Sequence, residues 1–272
     1  MKKFIVTGIF LSIFPVIIQA QELFTYTEPA SNMPAKSIGI RLTNNLMKEV
    51  VSDKLNYHLV PELMWGVSGK LMIHGEAFIS NRNGGLVTEG GGMYFKYRFY
   101  SQDEVHDHFR MAFYGRASFN NSDVHQGAID LNGHNSGYEA GLVSTKLIKR
   151  TAISGIISWL HATDNGGGNK FIESVAGRDA MGFSLSAGRL MLPREYKSYD
   201  QTNLNFMLEL PGQVNMQTGK MFLDLAPSVQ FIFLSKMRLD FGYRFPLVKD
   251  LGRTADKGFL CRLEYNIFNA YK

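Results

Sequence analysis

His58, Glu62, His74 and Glu76 fall on two neighbouring stretches of alternating apolar and polar residues, and all four take the polar phase. Side chains two or four positions apart on a strand point the same way. The four therefore share one face, where imidazole and carboxylate form either a cation or proton-sensitive site or a satisfied hydrogen-bond network. A larger charged set shares that phase elsewhere. Lys96, Arg98, Arg110 and Arg116 lie on the fourth and fifth stretches, and Glu209, Asp224 and Asp240 on the ninth, tenth and eleventh. Read as walls facing one another across water, they would set up a transverse field that selects solutes, as charged walls do in channels. Across a narrow, dry lumen the same side chains would have to pair, because an unpaired charge there is very costly.

Three further groupings carry weaker signals. Asp103 to His108 packs acids and imidazoles into one turn, and His106-x-His108 has a spacing that grips divalent ions; a solvated polar turn is the plainer expectation. His134-Asn135-Ser136 holds a histidine near a serine, as acyl-transfer sites require, but Gly133 and Gly137 flank it in loop-like sequence. Asp164 to Asn169 offers oxygen ligands of the kind calcium takes, within glycines that suit a flexible loop. None of these assigns a catalytic residue, a cofactor or a metal ligand.

The elements that position these residues are strands. Twelve bursts of period-two alternation run between Ser37 and Phe268, each about ten residues long. Their connections are alternately tight and long. Val67 to Gly69, Ile148 to Thr151 and Leu234 to Lys236 are hairpin turns, whereas Asn120 to Ser136, Thr163 to Asp179 and Val248 to Lys257 are longer loops, the first two rich in Asn, Asp and Gly. This pattern predicts an all-β chain: a transmembrane antiparallel β-barrel of about twelve strands, up-and-down, with short periplasmic turns and long outer loops. The greasy phase, such as Met93, Phe95, Tyr97 and Phe99, is assigned to lipid. Cys261 takes that phase too, as a small apolar side chain.

Residues 1–20 read as a signal peptide, with Lys2 and Lys3 before an apolar run and a small residue, Ala20, at its end. Residues 21–36 are irregular, with two prolines, and either hang below the barrel, line its foot or plug it. Residues 37–272 are the barrel. The formal charge of +5 falls to +3 without Lys2 and Lys3, too mild to point to nucleic acid. A near-continuous phase from Phe259 to Tyr271 suits a barrel-closing last strand of the kind that barrel-assembly machinery handles.

Glu28-Pro29-Ala30-Ser31-Asn32-Met33-Pro34-Ala35-Lys36, Pro61 to Gly66, Lys96-Tyr97-Arg98-Phe99 and Ser136 to Leu142 resemble a set of uncharacterised outer-membrane barrels of the Bacteroidota. The resemblance implies the fold and an outer-membrane location, and no binding residues. It also implies, as an alternative role, an accessory to metal efflux. The expected function is a narrow passive channel for small polar or charged solutes among outer-membrane lipids. The alternatives are a closed barrel that binds a partner or ligand and, further off, a lipid hydrolase.

Overall fold

The computed structural model describes residues 24–50, 54–82, 84–104, 107–172, 176–195, 198 and 200–271, so residues 1–20, expected as a signal peptide, and His106 lie outside the described residues. Twelve strands follow in order: β1 Ser37–Glu49, β2 Leu55–Gly66, β3 Leu71–Ser80, β4 Val87–Asp103, β5 Asp107–Asn120 and β6 Ser136–Ile148. Then come β7 Thr151–Thr163, β8 Asp179–Leu192, β9 Asn203–Asn215, β10 Met221–Phe233, β11 Met237–Lys249 and β12 Ala255–Ile267. Each pairs antiparallel with its chain neighbours, and β1 pairs with β12 from Ile38 opposite Ile267 to Glu49 opposite Ala255. That last ladder closes the sheet and removes both edges. The fold is the twelve-stranded up-and-down barrel that the alternation predicts.

β4 is the longest strand, and a bulge between Arg98 and Tyr100 shifts its register against β5. The stretch expected as a turn from Asp103 to His108 is strand at both its ends, because pairing of β4 with β5 continues to Asp103 opposite His108. Connections at 67–70, 104–106, 149–150, 193–202 and 234–236 share one end of the barrel with the beginning of β1 and the end of β12. The remaining connections stand at the other end.

The greasy phase faces out. Phe95, Tyr97, Phe206, Leu208, Phe241 and Tyr243 all stand exposed on the outer surface. An apolar belt of this extent is far beyond what a monomeric protein leaves to water. The inner face is more mixed than a purely polar lumen. Met64, Met72, Tyr94, Ala112, Tyr114 and Val143 form a buried cluster inside the barrel, and Ala30 and Met33 of the N-terminal segment pack into it.

That segment, residues 24–36, folds into the bore. Ser31 Oγ accepts from Arg110 at 3.0 Å, the Ala30 N–H donates to Thr145 Oγ1 at 2.9 Å, and Lys96 Nζ donates to Pro29 O at 2.7 Å. Where it enters β1, its backbone lies so close to β2 that a Cβ at Gly66 would stand 1.9 Å from Pro34 O. Only glycine allows that approach. Gly66→Ala should therefore push the segment off the wall, and limited proteolysis should cut within residues 24–36 faster than in the parent chain.

Candidate functional site

A loop folds inward at the other end. In residues 121–135, the Ile129 N–H donates to Gln213 Oε1 of β9 at 2.8 Å, and Gln213 Nε2 returns a bond of 2.8 Å to Ile129 O. Ile129 and Leu131 then pack with Leu160, Phe171 and Ala180 in a buried cluster. Between this cap and the N-terminal segment lies a cavity of about 350 Å³, enclosed by the barrel wall.

The cavity is charged, and its two sides differ in sign. Glu62 of β2, Glu76 of β3 and Glu139 of β6 line one side with Arg116 of β5, which stands 3.4 Å from Glu76 and 3.9 Å from Glu139. Arg244 of β11, Arg262 of β12 and Arg253 line the other. There the fully buried Asp224 takes a bond from Arg253 at 2.7 Å and an ion pair from Arg244 at 3.4 Å. Arg41 of β1 ties the two sides together, with Nε 2.8 Å from Glu264, and with NH1 2.7 Å from Glu28 and 3.3 Å from Glu62.

The seven wall residues expected from sequence do not form two free surfaces. Lys96 is fully buried under Pro29 and Glu28. Arg98 donates to Gly69 O at the turn end, and Arg110 pairs with Asp103 at 2.9 Å. Glu209 is engaged by the N-terminal segment, and Asp240 pairs with Arg238 at 3.0 Å. Of the seven, Arg116 alone lines the cavity. The reason is distance. Each finds a nearer partner on its own or an adjacent strand, in a turn, or in the N-terminal segment that enters the bore, well before it could meet the opposite wall.

The four-residue cluster separates in a similar way. Glu62, His74 and Glu76 come together, with His74 Nδ1 3.4 Å from Glu62 and ligating atoms of all three within 4.8 Å of one another. His58 does not join them. Four residues along β2 is about 13 Å of strand, and His58 packs instead against Phe78 and His134, with ring centroids 6.5 and 5.7 Å away.

No protein-family model matches the chain, and no curated protein sequence matches it. Solved structures do. An outer-membrane channel from Pseudomonas putida F1 superposes with a TM-score of 0.56 at 15% identity, covering 89% of this chain and 100% of that one. The barrel has the fold of an outer-membrane channel. The NanC porin superposes at 0.49 with 8% identity over 85% of this chain and 98% of its own. The outer membrane phospholipase A of Escherichia coli does so at 0.41 with 9% identity, over 86% and 91%.

His134 and Ser136 do not form an acyl-transfer pair. Ser136 Oγ accepts from the Asn120 N–H at 2.8 Å and lies 3.2 Å from Asn120 O, so it is spent on the end of β5. His134 contacts Arg82 through Nδ1 and Asp130 through Nε2 at 3.6 Å. Asp164 is likewise occupied, accepting from Arg178 at 2.7 Å and from the Phe171 N–H at 3.0 Å. At the turn end, His108 lies 3.2 Å from Asp103.

Burial, reinforced by the Arg82 guanidinium, pulls His134 from an ordinary 6.5 down to about 3, against the opposing pull of Asp130. The unfolded loop takes up this proton first. The stability His134 lends the cap is therefore present above about pH 6.5 and is lost as pH falls from there toward 3. Amide exchange in residues 127–135, corrected for intrinsic rate, should show less protection at pH 4 than at pH 7.

Three residues of the site carried little sequence signal. Glu28 sits in a segment without period, Arg253 in a loop, and Glu139 at the edge of a strand that begins two residues earlier than its alternation suggests. The cap left a trace: Ala128-Ile129-x-Leu131 is an apolar run inside an otherwise polar loop.

Proposed function

We propose that the chain is an outer-membrane β-barrel acting as a narrow passive channel for small polar or charged solutes, with both termini on the periplasmic side. The observation that carries this is the charged cavity within the bore, constricted below by residues 24–36 and above by residues 121–135. A barrel filled only for stability has no need to keep such a space lined by opposed guanidinium and carboxylate groups, whereas a selective pathway does. The exposed apolar belt and the closed sheet fit a bilayer, since closure leaves no backbone group to face lipid unpaired. The resemblance to Bacteroidota barrels supports the same location. The chain binds lipid through its belt and meets barrel-assembly machinery during insertion.

A second reading is a closed barrel that presents its outer loops to a partner. The N-terminal segment, anchored at several points across the bore, favours it. Swelling of liposomes that contain the refolded protein separates the two. The channel reading expects faster swelling in small sugars or amino acids than in large oligosaccharides. Swelling no faster than in protein-free liposomes, with the barrel shown folded, would favour the closed form.

A further inference from the structure

We infer that Glu62, His74 and Glu76 form a binding site for a divalent transition-metal ion in the wall of the lumen cavity, whether or not that cavity conducts. Register brings the ligands together. Glu62 and Glu76 are direct cross-strand partners, and His74 lies two residues before Glu76 on the same face of β3. Their ligating atoms lie within 4.8 Å of one another. An ion about 2.0–2.2 Å from each donor closes that set with side-chain shifts of about an ångström.

Electrostatics argues for a cation here. Two carboxylates directly opposite one another across a ladder repel, and both side chains are nearly buried, at 9% and 3% exposure. Their arginines reach them only loosely. Arg41 stands 3.3 Å from Glu62 but 2.7 and 2.8 Å from Glu28 and Glu264, and Arg116 stands 3.4 Å from Glu76. Arg262 is a further nearby cation, donating to Thr43 Oγ1, which itself reaches Glu62 at 3.5 Å. Glu28, Glu139 and Glu264 share this arginine group with the two cluster carboxylates, Glu28 also pairing with Lys96 at 3.5 Å and Glu264 with Arg238 at 3.6 Å.

His74 is 1% exposed, with Nδ1 3.4 Å from Glu62, while its Nε2 and the hydroxyl of Tyr94, its cross-strand neighbour, have no hydrogen-bond partner, so the ring is buried beside the two carboxylates with polar capacity unspent. Buried polar atoms are seldom left without a partner. One imidazole with two carboxylates suits zinc, manganese, iron(II), cobalt or nickel; calcium and magnesium favour all-oxygen shells.

The test is Co²⁺ titration of the refolded full chain in detergent micelles, read by the visible absorption of the bound ion. The wild-type protein should take up one equivalent, displaced by Zn²⁺ and not by excess Mg²⁺. His74→Ala and the near-isosteric Glu76→Gln should each weaken uptake by at least about tenfold. His161→Ala, a histidine outside the cluster, should leave it unchanged. If His74→Ala does not fold, Glu76→Gln carries the comparison. No bound-ion spectrum from folded wild-type protein, or equal uptake by the cluster variants, would overturn the inference.

Discussion

Arg41→Ala should be the most destabilising single substitution in the barrel wall, lowering stability by about 3–5 kcal/mol in reversible urea unfolding from micelles. Arg41 is 2% exposed and serves three carboxylates from three parts of the chain: Glu28 of the N-terminal segment, Glu62 of β2 and Glu264 of β12. Truncation leaves Glu62 without the guanidinium at 3.3 Å and takes from Glu28 and Glu264 the nearer of their cations, leaving them Lys96 at 3.5 Å and Arg238 at 3.6 Å. The loss comes mainly from these under-compensated charges. Glu264→Gln, which removes one anion and leaves Arg41 its other two partners, should therefore cost much less. Arg41→Lys should recover only part of the loss, since an ammonium cannot present the planar fork that spans Nε and NH1. Equal unfolding midpoints for Arg41→Ala and the parent would mean that water in the cavity already solvates these groups.

Glu209→Gln should release the N-terminal segment while leaving the barrel closed. Glu209 is fully buried, and its carboxylate accepts from the backbone N–H of Thr25, Tyr26 and Thr27 at 2.8, 2.9 and 2.8 Å, and from Thr27 Oγ1 at 2.7 Å. Four donors converge on an acceptor-only group, and charge makes each bond stronger than a neutral one. A carboxamide keeps the shape but turns one of its two ends into a donor, which then faces other donors. The expected cost to docking of the segment is roughly 2–4 kcal/mol. Limited proteolysis should cut near residues 24–28 in the variant first, with the barrel core still resistant. Unchanged cleavage would show that Ala30, Met33 and Lys96 hold the segment without this clamp.

The barrel was legible in the sequence because period-two alternation reports directly on a sheet that has lipid on one side and a polar bore on the other. Phe95, Tyr97, Phe206 and Phe241 share one phase, and strand length with the alternation of short and long loops placed that phase outside. The shared face was legible as well, which is why His58, Glu62, His74 and Glu76 were grouped, though not which of the four would meet. Partnership was harder to read. Sequence order gives angular order around a barrel, but pairing follows the nearest partner, so Arg116 of β5 meets Glu139 on adjacent β6 and Glu76 two strands away on β3 instead of Glu209 across the bore. Glu28 was hidden for a different reason. Pro29, Pro34 and the lack of a period say that its segment is not a strand, and nothing local says where such a segment docks. His58 shows the limit of sharing a face, since two residues on one face of one strand can still stand a dozen or so ångströms apart.

In the channel reading we propose, solutes cross through the lumen cavity past the N-terminal segment. Single-channel recording in planar bilayers tests it most directly, with refolded wild-type protein and Glu209→Gln measured side by side and each shown to be folded by its heat-dependent gel mobility. The wild-type protein should give small, steady conductance steps and the variant larger ones, as the constriction loosens. Silent bilayers from both folded proteins would contradict that reading.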